Sequence, residues 1–157
     1  MPSNLPQFNA GLDKWFVQVT ADVSRTVRQL AFAIDRELVR RTPVGNPELW
    51  AANKGKRRGD RGFVGKNYTG GRARANWIPS LETPSEAVID QPDPTGAGAI
   101  TKMAQVTGKF RIGQDRKIWI VNNLEYIIPL ANGHSRQAPP GWVEGAIQVG
   151  TRTVLKR

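Results

Sequence analysis

Phe16-Val17-Gln18-Val19-Thr20-Ala21-Asp22-Val23-Ser24-Arg25-Thr26-Val27-Arg28-Gln29-Leu30-Ala31-Phe32-Ala33-Ile34-Asp35-Arg36-Glu37-Leu38 is the stretch that sets the architecture. Phe16, Val19, Val23, Val27, Leu30, Ile34 and Leu38 recur at steps of three or four, which puts them on one face of an α-helix. Lys14, Gln18, Asp22, Arg25, Gln29, Arg36 and Arg40 lie largely off that face. Asp13 near the start and Arg36, Arg40 and Arg41 near the end match the helix dipole. Thr42-Pro43 stops the run, because the residue before proline is driven out of the helical region. A helix over 12–41 would span about 45 Å at about 1.5 Å per residue. That is long for a small domain, so it is either broken or reaches toward a neighbour.

Working outward, residues 1–11 hold two prolines, Asn9 and Gly11 and read as an extended arm, with Phe8 as an anchor for a neighbouring surface. On the other side, 42–67 is a long connection rich in glycine and proline, with a short helical turn at 47–52. Tyr68-Thr69-Gly70-Gly71-Arg72-Ala73-Arg74-Ala75-Asn76-Trp77 follows: a Gly-Gly turn, a short helical turn, then a strand around Ile78–Leu81. A second helix is expected from Pro94 to Val106, ended by Gly108. β structure is expected over 109–122, with Phe110 and Ile112, a turn at 113–116, and Ile118-Trp119-Ile120-Val121 as the best strand. A short helix with a glycine cap over 124–133, a polar loop over 134–141, a helix or strand over 142–153 and a basic tail 154–157 complete the chain. The fold class is α+β: a long N-terminal amphipathic helix packed on a small, mostly antiparallel sheet, with one or two shorter helices. At 157 residues the chain is expected to form one domain, with 68–153 as its α+β core.

Composition narrows the function. There is no cysteine, which excludes disulfides and thiolate metal ligands and fits a cytosolic setting. No run of about 18 apolar residues is present, so no transmembrane helix is expected. The N-terminus lacks the basic start and apolar block of a signal peptide, so we expect the whole chain to be the mature protein, made and assembled inside a cell. The net charge is +10, and it is concentrated. Lys54, Lys56, Arg57, Arg58, Arg61, Lys66, Arg72 and Arg74 face the single Asp60, a local charge of +7. Such a cluster is a footprint for polyanions, or else a solvated basic loop.

Catalytic motifs fail on inspection. His134 is the only histidine, and Ser135 beside it lacks a Gly-x-Ser-x-Gly elbow. Gly65-Lys66 is followed by Asn67, and Asp60 stands where a phosphate-binding loop needs its first glycine. Gly96-Ala97-Gly98 lacks the third glycine of a dinucleotide fingerprint. No catalytic residue, cofactor or metal is expected. Phe63, Tyr68 and Trp77 near the basic run admit nucleic-acid binding, and equally a core or interface role.

Four segments, taken in order, carry a resemblance: Arg41-Thr42-Pro43-Val44; Tyr68 to Trp77; Ile118-Trp119-Ile120-Val121-Asn122-Asn123-Leu124-Glu125-Tyr126; and Gly133-His134-Ser135-Arg136-Gln137-Ala138-Pro139-Pro140-Gly141. Together they resemble the neck and tail-completion family of tailed bacteriophages, the small head–tail joining proteins. The resemblance implies an α+β virion subunit without catalysis, assembled in the host cytoplasm. It implies a homo-oligomeric ring of six, with twelve as the other stoichiometry, around the DNA channel. It implies as partners the head-completion or connector proteins and the tail-terminator proteins, with non-specific contact to genomic DNA. The eight basic residues above become channel or interface candidates, and Trp77, Trp119 and Tyr126 packing anchors. Two departures stand out: the insertion from Gly45 to Asn67, which carries most of the basic cluster, and Ala131-Asn132 where many relatives have a glutamate before Gly133. The alternative is a free-standing, sequence-independent nucleic-acid-binding protein using 54–74.

Overall fold

A computed structural model describes residues 4–115, 117–135 and 137–156. Helix α1 is unbroken from Leu5 to Arg41, 37 residues, or about 55 Å at about 1.5 Å per residue. The expected extended arm is therefore corrected from Leu5 onward: those residues are the first turns of α1, while Met1–Ser3 lie outside the described residues. Pro6 falls in the first turn, where its missing N–H has no helical partner to lose. Its ring, which suggested an arm, is compatible with a helix start.

After α1 come two single 3₁₀ turns, Pro47–Leu49 and Ala51–Asn53, in place of the expected helical turn. Next are α2 (Arg72–Ala75) and β1 (Ile78–Leu81), as expected. Helix α3 spans Ala97–Lys109 and contains Gly108 instead of ending there. Its start is set by Asp93, whose carboxylate accepts the Gly96, Gly98 and Ala99 N–H groups and the Thr95 hydroxyl. Burial works to raise the pKa of that carboxyl, but these four donors hold it below the usual range. Strand β2 is Ile118–Val121 and pairs antiparallel with β1, Ile78 opposite Val121 and Leu81 opposite Ile118. Of the β structure expected ahead of it, the described residues hold only an isolated Ile112–Asp115 bridge, because Phe110 leaves α3 straight into the interior. Helix α4 (Ile127–Ala131) is shorter than expected, with Gly133 left-handed just beyond it at φ 83°. Helix α5 (Trp142–Leu155) resolves the last segment as helix and takes in Val154 and Leu155 of the expected tail.

The chain is α+β, but α1 packs mainly on helices. Helix α5 runs back along it, Gly145 facing Arg41 and Gly150 facing Ile34. A β-carbon on Gly150 would lie 2.6 Å from the Ile34 Cα, so only glycine allows this approach. Helix α3 lies against another part of α1 and carries the sheet. The core gathers Leu38, Val39, Trp77, Ala99, Ala138, Trp142 and Ala146. Trp77 and Trp142 meet edge to face at 6.2 Å. The body ends along α1 at Ser24, whose hydroxyl accepts the Ile112 N–H. Phe16, Val19 and Val23 of the apolar stripe lie beyond it and are exposed. Among the described residues no helix is long and apolar enough to cross a membrane.

Among the described residues one buried carboxyl is left without a partner. Asp35 on α1 is fully enclosed, and neither carboxylate oxygen has a hydrogen-bond partner among the described residues. Desolvation pushes this carboxyl from 3.8 up to about 7. The folded state thus holds a proton that the unfolded chain releases between these two values. Stability from this group is highest below the unfolded pKa and is lost as pH rises through the folded one. At about 1.4 kcal/mol per unit, the penalty is on the order of 4–5 kcal/mol at alkaline pH. Asp35→Asn should raise the melting temperature relative to wild type at pH 8 and change it little at pH 4, read by paired calorimetric scans. An equal difference at both pH values would remove the titration as the cause.

Candidate functional site

The basic run is built as a closed loop. Its root is Asn53, which is buried. The Asn53 Nδ2 donates to the Pro47 carbonyl at 2.7 Å and the Val64 carbonyl at 2.8 Å, and Oδ1 accepts the Val64 N–H at 2.8 Å. One amide thus does the work of a short strand pair across the neck of the loop. Lys56 bridges the loop at its surface, its ammonium donating to the Ala52 and Gly62 carbonyls at 3.1 and 3.0 Å. At the tip, Asp60 accepts the Arg57 N–H at 2.7 Å and closes a turn. Trp50 seats the returning chain: a β-carbon on Gly65 would lie 2.8 Å from its ring. Trp50 in turn meets Tyr68 edge on at 5.2 Å. This is an Ω-type loop, packed by its own groups.

Its construction sorts the predicted cations. Lys54, Arg57, Arg58, Arg61 and Lys66 are exposed, and among the described residues their side chains meet no acidic partner. Lys56 spends two of its three donors inside the loop. The other two predicted residues stand apart, at α2. Arg72 pairs with Asp90 at 2.8 Å. Arg74 reaches inward and donates to the carbonyls of Thr42 (2.8 Å), Arg40 (3.3 Å) and Pro94. Burial lowers its pKa, against the opposing pull of Asp93. Arg74 therefore ties the end of α1 to the approach to α3.

Of the predicted anchors, Trp77 is in the core and donates to the Thr42 hydroxyl at 2.7 Å. Trp119 is half-buried at the sheet edge, its indole N–H on the Glu82 carbonyl and Lys117 over its ring at 5.6 Å. Tyr126 is corrected: it is 42% exposed, beside Arg72, because α4 begins after it and leaves its ring at the surface.

The segments quoted for the resemblance come together on one side of the body. Gly70 lies so close to Val44 and Gly45 that a β-carbon would sit 2.5 Å from the Val44 side chain. Gln137 donates to the Val44 carbonyl at 3.0 Å, and Asn122 to the Ala73 carbonyl at 2.9 Å. Pro43, Tyr68, Ala73, Tyr126, Leu130 and Gln137 line a cleft of about 120 Å³ there. Next to it a wider cleft of about 790 Å³ is bordered by Glu48, Trp50, Lys54, His134 and Ser135. Within it the Ser135 hydroxyl accepts the Gln137 N–H at 3.1 Å, a local turn contact. Among the described residues no three His, Asp or Glu side chains converge as a metal site would need. No family model, curated protein or solved structure matches the chain.

Sequence reasoning missed Asn53 and Asn76. Asn76 repeats the same device, bonding the Ile89 N–H and carbonyl at 2.7 Å each and so holding the segment after β1. A lone asparagine next to a glycine-rich run is the only local signal for Asn53, and it is shared by many turns. Two substitutions separate structure from surface here. Asn53→Ala takes the partner from one buried and two part-buried backbone groups and should cost about 2–3 kcal/mol, with faster trypsin cleavage at Arg57, Arg58 and Arg61. Arg74→Lys should also lower the melting temperature, because an ammonium cannot span three carbonyls as a guanidinium does. Arg58→Ala should leave the melting temperature and the rate of cleavage at Arg57 and Arg61 unchanged.

Proposed function

We propose that this chain is a structural subunit of the neck of a tailed bacteriophage, forming a ring that joins the head or portal connector to the tail and surrounds the DNA channel. The observation that carries this reading is the meeting of Val44, Gly70, Ala73, Asn122 and Gln137. They come from the four widely spaced segments that resemble the neck family, and in this fold Gln137 and Asn122 bond to the Val44 and Ala73 carbonyls while Gly70 packs on Val44. They make a scaffold joint, consistent with a role in holding shape. A ring uses two different patches on each subunit, one for each neighbour. Six copies are the expected stoichiometry, with twelve as the other, and the partners are head-completion and tail-terminator proteins. In such a ring, the loop over 54–66 offers unpaired cations to the phosphates of the passing genome.

A second reading, a free-standing nucleic-acid-binding protein, is favoured by the same loop, since its arginines are held outward on a preformed frame. Its contacts would be to phosphates and would weaken steeply with salt.

The two readings are separated by purified virions and by solution binding. Mass spectrometry of purified particles should find the chain, and negative-stain images of the isolated protein or neck should show a ring. Absence from particles together with tight, salt-sensitive DNA binding would replace the first reading with the second. Combined Arg57→Glu, Arg58→Glu and Arg61→Glu should flatten the salt dependence of DNA binding by about three counterions, at about 0.9 per phosphate contact. Under the neck reading the same variant should still assemble.

A further inference from the structure

A long apolar surface lies on α1, beyond the point where the body stops supporting it. Residues 5–23 extend past Ser24 for about 28 Å at about 1.5 Å per residue. Along this length Leu5, Phe8, Leu12, Trp15, Phe16, Val19 and Val23 are exposed, Phe8, Trp15 and Phe16 by 63–64%. A full aromatic side chain presents about 150–250 Å². The stripe therefore exceeds the scattered apolar residues of ordinary surfaces. It compares with the roughly 300–600 Å² of the largest patch on a monomer and approaches the ~800 Å² each partner gives a standard interface.

The pattern of the stripe identifies what fits it. Leu5, Phe8, Leu12, Trp15 and Val19 are spaced three, four, three, four, which is the a/d seam of a left-handed coiled coil. Phe16 and Val23 lie beside it and widen the face. The next seam position is Asp22, engaged by Arg25 at 3.2 Å and Gln18 at 3.0 Å, so the seam ends just before the body begins. Charge points the same way. From Asn4 to Arg25 the only charges are Asp13, Lys14, Asp22 and Arg25, which cancel. In a chain of net charge +10 this is a segment that two copies can bring together without mutual repulsion. A lipid surface would call for a polar face rich in Lys and Arg, which this segment lacks. Helix propensity adds a reason for a partner. The overhang contains Gly11 and the β-branched Val17, Val19, Thr20 and Val23, and a free helix of this length and composition is marginal in water.

We propose that the N-terminal overhang of α1 packs in parallel, in register, against the same segment of a second copy of this chain. The inference rests on the self-association in the neck-ring reading and is independent of its phage context. Copies related by rotation present their helices in parallel when α1 runs along the rotation axis, which is the arrangement the seam requires.

The absence of cysteine makes the test direct. Leu12→Cys, at the seam, should give a disulfide-linked dimer of the full chain on mild oxidation, at least tenfold more than Ala10→Cys on the opposite face. Phe8→Glu with Trp15→Glu should convert the oligomer to monomer in sedimentation equilibrium. The melting temperature of the body should stay, because these side chains do not touch it. Equal cross-linking at both positions, no dimer from Leu12→Cys, or an oligomer that survives the double substitution would overturn the proposal. So would a wild-type chain that stays monomeric at 100 µM yet floats with phosphatidylcholine–phosphatidylserine vesicles. Rings in virions without the Leu12→Cys link would overturn this inference and leave the neck reading standing. Helix-linked oligomers absent from virions would do the reverse.

Discussion

The fold depends on Thr42. Its hydroxyl donates to the Leu38 carbonyl at 2.6 Å and accepts the Trp77 indole N–H at 2.7 Å, and its own carbonyl accepts Arg74. The side chain is fully buried. It thus ends α1, orients the central tryptophan and receives the arginine that reaches from α2. Pro43 forces the chain to leave the helical path here. Trp77 then meets Trp142, whose own indole N–H is taken by the Leu130 carbonyl. Both indoles are satisfied, which lets two large rings share a small core.

The parts legible in the sequence are those fixed by local pattern. The α1 stripe, the Thr42-Pro43 stop, the turn into Ile78–Leu81 and the strand Ile118–Val121 depend on periodicity, on proline, or on β-branched and aromatic runs. Where reading failed, two local rules conflicted or the cause was distant. Pro6 and Gly11 argue for a loop by propensity, yet one is harmless in a first turn and the other costs only about 1 kcal/mol in a helix. Gly108 has the chemistry of a helix end, but α3 continues through it to Lys109. The site was less legible. Arg58 and Arg74 are the same residue in the same basic run. Only the converging carbonyls of Arg40, Thr42 and Pro94 make one of them internal. Tyr126 and Trp77 are both aromatic and both in family-like segments, and burial alone divides them.

Two kinds of surface emerge, and their physical logic differs. The loop over 54–66 is cationic and held in shape by its own internal bonds, from Asn53, Lys56 and Asp60, so ordering costs little when a polyanion arrives. The exposed part of α1 is apolar and neutral. Both lie outside the helical body, whose close approaches at Gly150 and Gly70 leave no room for side chains.

The clamp made by Asn53 has a consequence for how this chain can vary. It holds Val64 against the Asn53 amide, so the stretch 54–63 starts and finishes at the same place. Closing a longer or shorter stretch across that amide changes the entropy by only about 0.6 kcal/mol per doubling of length. The loop is in effect a cassette. Its length and charge can drift, or be exchanged for another, while the joint at Val44, Gly70 and Gln137 and the core behind it go on as before.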